Sequence, residues 1–351
     1  MYTENDLDTA VAAGAISPEA ALALRNHVAA GRALPVADEE HFRLITGFND
    51  IFVAIASVLL LVAVAWLGGE IAPWVGAAGV AVAAWGLAEY FTRQRRMALP
   101  SILLLLAFVG GVFAASVTGL IGDPDRFEDD SMTALLIALS GAIAAGGAWL
   151  HWRRFRVPIT VAAGAAALIA VVFGLLRSVI LNIEDYWEPL MLVSGLAVFG
   201  VAMWWDMSDP DRKTRRSDVA FWLHLLAAPL IVHPIFTSMG VLETGTTIGA
   251  AISVVLLYIV LGALALTIDR RALMVSALAY VLYALNALFE EMGAIGTNVA
   301  LAALVIGSAL LLLSAFWHTA RAFLVDQLPA RWRAKLPPAH RLDRAEGAPA
   351  S

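Results

Sequence analysis

The chain contains no cysteine. That excludes disulfides, thiolate metal sites and cysteine nucleophiles, and leaves the redox compartment open. Charge is scarce too: Asp, Glu, Lys and Arg make up 15% of the 351 residues, against 60% hydrophobic ones, and the mean hydropathy is +0.79. A single soluble core cannot absorb that much apolar chain, so the composition is that of a membrane protein. Also missing are a phosphate-binding glycine loop, a metallohydrolase helix and a nucleophile elbow, so no enzyme activity and no cofactor are expected, and ATP-driven action would need another subunit. The N-terminus has no basic stretch leading into an apolar run. No cleavable signal peptide is therefore expected, and the first span would be its own insertion signal.

What the sequence does have is apolar runs, at roughly 49–68, 71–91, 100–122, 132–151, 158–181, 189–207, 219–239, 248–267, 272–291 and 298–318. Each is long enough to cross about 30 Å of hydrocarbon as a helix. The expected fold class is all-α: a polytopic membrane protein with about ten transmembrane helices in residues 45–319. The loops after the second, fourth, sixth and eighth runs carry Arg93, Arg95 and Arg96; Arg153, Arg154 and Arg156; Arg212, Lys213, Arg215 and Arg216; and Arg270 and Arg271. The alternate loops carry only Arg126 among basic residues, and hold acidic ones such as Asp123, Asp125, Glu128, Asp129, Glu184 and Asp185. By the positive-inside rule the basic loops are cytoplasmic, which makes the chain N-in and C-in.

An arginine pair precedes the third, fifth, seventh and ninth spans: Arg95-Arg96, Arg153-Arg154, Arg215-Arg216 and Arg270-Arg271, spaced by 58, 62 and 55 residues. That period fits a repeated two-helix hairpin, with Pro100 and Pro158 placed alike after the first two pairs. A positive-inside bias, which plants arginines at every such turn, explains the pairs without duplication, and the expectation is that they serve topology alone.

Residues 1–44 are expected to form a cytoplasmic amphipathic helical hairpin. Its helices, 4–13 and 18–30, are joined by Gly14-Ala15-Ile16-Ser17, with Ser17 as N-cap and Pro18 at the first helical position. Two roles fit it: a cap on the membrane domain, or a docking module for a cytoplasmic protein partner. Residues 320–351 read as a basic interfacial segment, with Phe323, Leu324, Leu328 and Trp332, followed from Pro337 by a disordered cytoplasmic tail. The lipid bilayer is the expected partner, with anionic lipid at the cytoplasmic arginines; no nucleic acid is expected.

The polar hairpin with its Gly14-Ala15-Ile16-Ser17 turn precedes an unbroken series of spans. These include Phe221-Trp222-Leu223-His224 and Pro229-Leu230-Ile231-Val232-His233-Pro234. In these features the chain resembles the uncharacterised predicted membrane proteins of bacteria grouped under a domain of unknown function. The resemblance implies a multi-pass protein of the bacterial inner membrane and carries no activity over to any residue.

Ionisable and polar groups within spans are the candidate site, because each is costly in hydrocarbon unless paired or hydrated. His224 and His233 share the seventh span, with Pro229 between them and Pro234 after them, which predicts a kinked helix. Nine residues separate the two rings, so they point to opposite faces and cannot share a metal. His151 and His318 fall at the cytoplasmic boundary, so no bis-histidine haem is expected. Tyr283, Asn286 and Glu290 line one face of the ninth span. Arg177, near the outer end of the fifth, has Glu290 or Glu291 as its natural partner by depth. Small residues four apart, such as Gly110 and Ala114, Gly111 and Ala115, or Gly141 and Ala145, suit close helix packing. The acidic outer loops lack a calcium-loop pattern, and no metal site is expected.

Two functions remain. One is a small-solute transporter or channel whose path passes the seventh helix and the Tyr283, Asn286, Glu290 face. The other is a non-transporting membrane scaffold or sensor that recruits a partner through its N-terminal hairpin.

Overall fold

A computed structural model gives the architecture. It describes residues 10, 11, 13–24, 48–122, 130–180, 182–209, 212, 214–240, 248–291, 297–333, 336 and 337. The chain divides into two compact units, Met1–Phe42 and Arg43–Ser351.

In the first unit the described residues form the expected turn. The N–H groups of Gly14, Ala15 and Ile16 return to the carbonyls of Val11 and Ala10, with Gly14 at φ 68°. The Ser17 hydroxyl accepts the Ala20 N–H at 3.1 Å and so caps the helix that begins at residue 18. Ala21 is buried, whereas Leu22 and Leu24 are exposed. The outer parts of both expected helices lie outside the described residues.

The second unit is a helical bundle. Its helices are α1 (Phe48–Gly69), α2 (Pro73–Ala88), α3 (Ala98–Ile121), α4 (Asp130–Phe155), α5 (Ile159–Val179), α6 (Trp187–Met207), α7 (Arg215–Ser238), α8 (Ile248–Ile268), α9 (Ala272–Glu291), α10 (Asn298–Ala315), α11 (Trp317–Asp326) and α12 (Ala330–Arg333). A π-helical turn, Glu89–Gln94, extends α2. Among the described residues nine helices are long and apolar enough to cross a membrane: α1 to α8 and α10. The expected tenth, α9, is helical over 20 residues, and its described apolar stretch is the shorter Ala272–Asn286. The lipid environment is legible in the side chains, since Leu59, Trp66, Val82, Leu168, Val193, Ile259 and Leu311 are all exposed.

Each basic turn joins an even helix to the following odd one, and the two pack along each other: α2 with α3, α4 with α5, α6 with α7, α8 with α9. The odd helices also touch in series, α1 on α3, α3 on α5, α5 on α7 and α7 on α9. They form a row against which the even helices lie. Close approach depends on glycine. A Cβ on Gly111 would come within 2.9 Å of the Ala77 carbonyl oxygen on α2, and one on Gly195 within 2.9 Å of the Leu230 backbone on α7. Gly141 packs in this way against α5, as its spacing predicted, but Gly110 has nothing within 4 Å.

The basic turns share a backbone device. Arg96, Arg156, Arg212 and Asp269 all have φ between 53° and 58°, at positions 60, 56 and 57 residues apart. This left-handed conformation turns the chain out of each even helix and lets the next N–H groups reach back, as Arg270 N–H does to Ala265 O at 2.9 Å. Glycine is the usual occupant of such a position, and a bulky residue there carries a conformational cost.

The segment after α10 departs from expectation. The tenth span ends at Ala315, and α11 is not a purely interfacial helix: Trp317, Arg321 and Val325 are buried, with α11 packed on α8, while Phe323 and Trp332 remain exposed. Residues 338–351, read from sequence as a disordered tail, lie outside the described residues, as do 123–129 of the acidic loop.

Candidate functional site

Buried charge concentrates at the basic end of α6, α7 and α8. Asp206 sits in the last turn of α6, His224 in the third turn of α7, and Arg270 follows the left-handed Asp269 at the start of α9. Their exposures are 5%, 1% and 2%, so the protein shields all three from its surface. The Arg270 guanidinium donates twice to the Asp206 carboxylate, Nη2 to Oδ1 at 2.5 Å and Nε to Oδ2 at 3.1 Å, and Nη2 also donates to the Ser217 carbonyl at 3.1 Å. His224 Nε2 completes the group at 3.0 Å from Asp206 Oδ2. The Phe199 ring lies edge-on to the imidazole, and His224 Nδ1 has no hydrogen-bond partner among the described residues. One carboxylate thus ties three helices by charge-assisted bonds in a low dielectric, where such bonds are strongest.

A second network adjoins it, centred on Asp269 in the turn between α8 and α9. Arg212 Nη1 donates to Oδ2 at 2.8 Å and Arg212 Nη2 to the Asp269 carbonyl at 2.9 Å. The Trp317 indole N–H donates to Oδ1 at 2.9 Å, and Arg321 Nε lies 3.6 Å from the same oxygen. Burial pushes the Asp269 carboxyl up, but the charges of Arg212 and Arg321, the Trp317 hydrogen bond and Arg270 outweigh it and hold the pKa below the ordinary carboxylate value. A carboxyl whose folded pKa is depressed contributes stability that is present above the unfolded pKa of about 4 and is lost as pH falls through the folded value. The difference in melting temperature between the wild type and Asp269→Asn in detergent is therefore expected to be constant from pH 8 to about 5 and to shrink below 4. A difference that grows on acidification would contradict the ion network.

Of the predicted site residues, the two histidines of α7 have separate partners. His224 goes to Asp206, while His233, on the opposite face of α7, is hydrogen-bonded through Nδ1 to the Tyr280 hydroxyl of α9, with Phe236 stacked on Tyr280. Tyr283 is exposed, away from this pair, so the partner of His233 stands one turn before the expected stripe. Asn286 is half-buried, and its Oδ1 lacks a partner among the described residues. Arg177 lies half-buried in the last turn of α5. The side chains of Glu290 and Glu291 are outside the described residues, and so is the proposed pairing with Arg177. Pro229 and Pro234 both lie inside α7, which runs unbroken from Arg215 to Ser238.

His151, one turn before the end of α4, is fully buried there, 4.5 Å from the Phe155 ring centroid, with Trp85 and Phe108 around it and Thr160 Oγ1 at 3.4 Å from Nδ1. One sequence expectation is corrected: the arginine turns do not serve topology alone. Arg270 holds Asp206, and Arg154 on α4 grips Glu89 of the α2 extension with two bonds, of 2.7 and 2.9 Å. Asp206, Asp269 and Arg212 did not stand out as site residues in the sequence. The available signal was an acidic residue at the basic end of an apolar run, where acids are otherwise few.

Among the described residues no group of three His, Cys, Asp or Glu is placed to hold a metal ion. No family model, no curated protein and no solved structure matches the chain.

Proposed function

We propose that the protein is a non-transporting membrane scaffold or sensor whose bundle is locked at its basic end. The observation behind this reading is the Asp206–Arg270–His224 cluster: among the described residues, these buried charged groups at the basic helix ends are spent on one another at 5% exposure or less. A buried ion group of this kind adds little net stability over apolar packing, so fixing a single helix arrangement is its better-attested use. On this reading the N-terminal hairpin recruits a cytoplasmic partner, through the exposed Leu22 and Leu24. The 12 arginines and lysines of the four basic turns, against Arg126 alone in the alternate loops, support an N-in, C-in orientation. The similar spacing of Arg96, Arg156, Arg212 and Asp269, each closing an even–odd hairpin, supports a repeated two-helix unit. The resemblance to bacterial membrane proteins supports an inner-membrane location.

Transport of a small solute is the second reading. It is favoured by three buried polar atoms without hydrogen-bond partners among the described residues: Thr237 Oγ1 on α7, Tyr258 OH on α8 and Asn286 Oδ1 on α9. A solute or water would satisfy them.

The absence of cysteine makes the test direct. Thr237→Cys and Asn286→Cys are each the only thiol in the molecule and can be challenged with a membrane-impermeant maleimide in sealed vesicles, with Ser208→Cys at a basic turn as control. Under the scaffold reading neither buried thiol reacts from either side, and Ser208→Cys reacts only from the cytoplasmic side. Labelling of Asn286→Cys or Thr237→Cys from the aqueous phase would overturn it in favour of transport.

A further inference from the structure

Away from the ion networks, α2, α3 and α4 enclose a groove of about 460 Å³, lined by Ala78, Val82, Trp85, Phe108, Ser116 and Leu150 among others. Ser116 carries the one hydroxyl in the lining, and it is already spent on the Val112 carbonyl. Val82 and Leu150 at the rim are exposed, so the groove opens sideways into lipid. Its inner wall is rigid. Trp85 packs with ring centroids 5.0 Å from both Phe108 and Phe155, and His151 wedges behind them. Side chains locked in this way do not collapse to fill the space, so the cavity is preformed.

The groove is apolar along its length but charged at one end. Glu89 stands four residues after Trp85 and Arg154 four residues after Leu150, so each lies one helical turn further along a face that lines the groove. There the Glu89 carboxylate holds two guanidiniums, Arg154 with bonds of 2.7 and 2.9 Å and Arg93 at 3.3 Å. The three residues carry a net charge of +1. Both arginines are part-exposed and keep unused N–H donors beyond those given to Glu89. The guanidinium of Arg95, on the Tyr90 hydroxyl at 3.0 Å, adds a further positive charge at this end.

An apolar slot in the hydrocarbon, ending at a pre-positioned pair of arginines, is complementary to one ligand chemistry. We propose that this groove is a binding site for an anionic phospholipid, with one acyl chain laid against Trp85 and Phe108 and the phosphate on Arg154 and Arg93. Arginine suits this role, because its planar fork meets phosphate oxygens two at a time while Glu89 keeps it from folding back. The occupant comes from the surrounding bilayer, and the site is independent of whether the bundle transports anything.

The test uses the full chain in nanodiscs with phosphatidylglycerol that carries a diazirine on one acyl chain. After photolysis, crosslinks are expected to concentrate on the groove residues of α2, α3 and α4. Unlabelled phosphatidylglycerol is expected to displace them about tenfold more effectively than phosphatidylcholine. Ala115→Trp, which fills the groove, should abolish these crosslinks while leaving those at other lipid-facing helices. The double variant Arg93→Gln, Arg154→Gln should keep the chain crosslinks and lose the preference for the anionic lipid. Melting temperatures in detergent identify any variant that has failed to fold, and Ser116→Phe then takes the place of Ala115→Trp. Crosslinks spread evenly over all exposed helices, crosslinks unchanged by groove filling, or equal displacement by the two lipids in the wild type would overturn the proposal.

Discussion

Arg270→Ala is expected to destabilise the bundle by about 3–5 kcal/mol, because it leaves the Asp206 carboxylate buried with only an imidazole beside it. The loss would be read as a fall in melting temperature in detergent and in the yield of monodisperse protein. Most of that cost belongs to the stranded charge and not to the net worth of the pair. Replacing all three members with apolar residues of similar volume, Asp206→Leu with Arg270→Met and His224→Leu, is therefore expected to recover most of the loss, since no polar group of the cluster is then left unpaired. Arg270→Lys should fall between, since an ammonium cannot make the two-point contact with Asp206 and also reach the Ser217 carbonyl. A single Arg270→Ala substitution that costs under about 0.5 kcal/mol would show that the cluster is hydrated in the membrane. The tie between α6 and α9 would then be lost as well, and with it the main support for a static bundle.

The fold was legible where the signal is local. A run of 20 apolar residues states its own structure, because a helix is the only way to satisfy its backbone in hydrocarbon, and the helices fall on the expected runs. Local chemistry also predicted the Ser17 cap and the close approach at Gly111. What could not be read was pairing at a distance. Asp206 ends an apolar run and meets an arginine 64 residues later, and nothing in either neighbourhood announces the other. The arginines were ambiguous for a different reason: the rule that places them at cytoplasmic turns also explains them fully, so their second use as interhelical ties leaves no trace. His233 shows the limit of helical spacing. A polar stripe of Tyr283, Asn286 and Glu290 is sound geometry, yet which face of α9 meets α7 is set by packing of the whole row, and it is Tyr280 that arrives. The short α11 was blurred by its composition, because basic and aromatic residues suit both a lipid interface and a burial site against Asp269.

That row of packed helices can itself be tested at one glycine. Gly174 of α5 is buried against α4, where an added Cβ would stand 2.8 Å from both the Ala134 carbonyl oxygen and the Ala138 nitrogen, and 2.9 Å from the Ala138 Cβ. Two of these neighbours are helix backbone, which cannot turn aside as a flexible side chain would. Gly174→Ala is thus expected to force α4 and α5 apart and to cost about 1–3 kcal/mol, with Gly174→Leu costing more. Intrinsic helix preference acts the other way, since alanine is favoured over glycine in a helix by about 1 kcal/mol. Gly110→Ala isolates that term, because its Cβ would meet nothing within 4 Å, and it is expected to be neutral or slightly stabilising. The informative measurement is the order of the two melting temperatures. Gly110→Ala at or above wild type with Gly174→Ala well below it places the α4–α5 contact where the structure has it. Equal effects would mean that the two helices do not meet at Gly174 in the membrane.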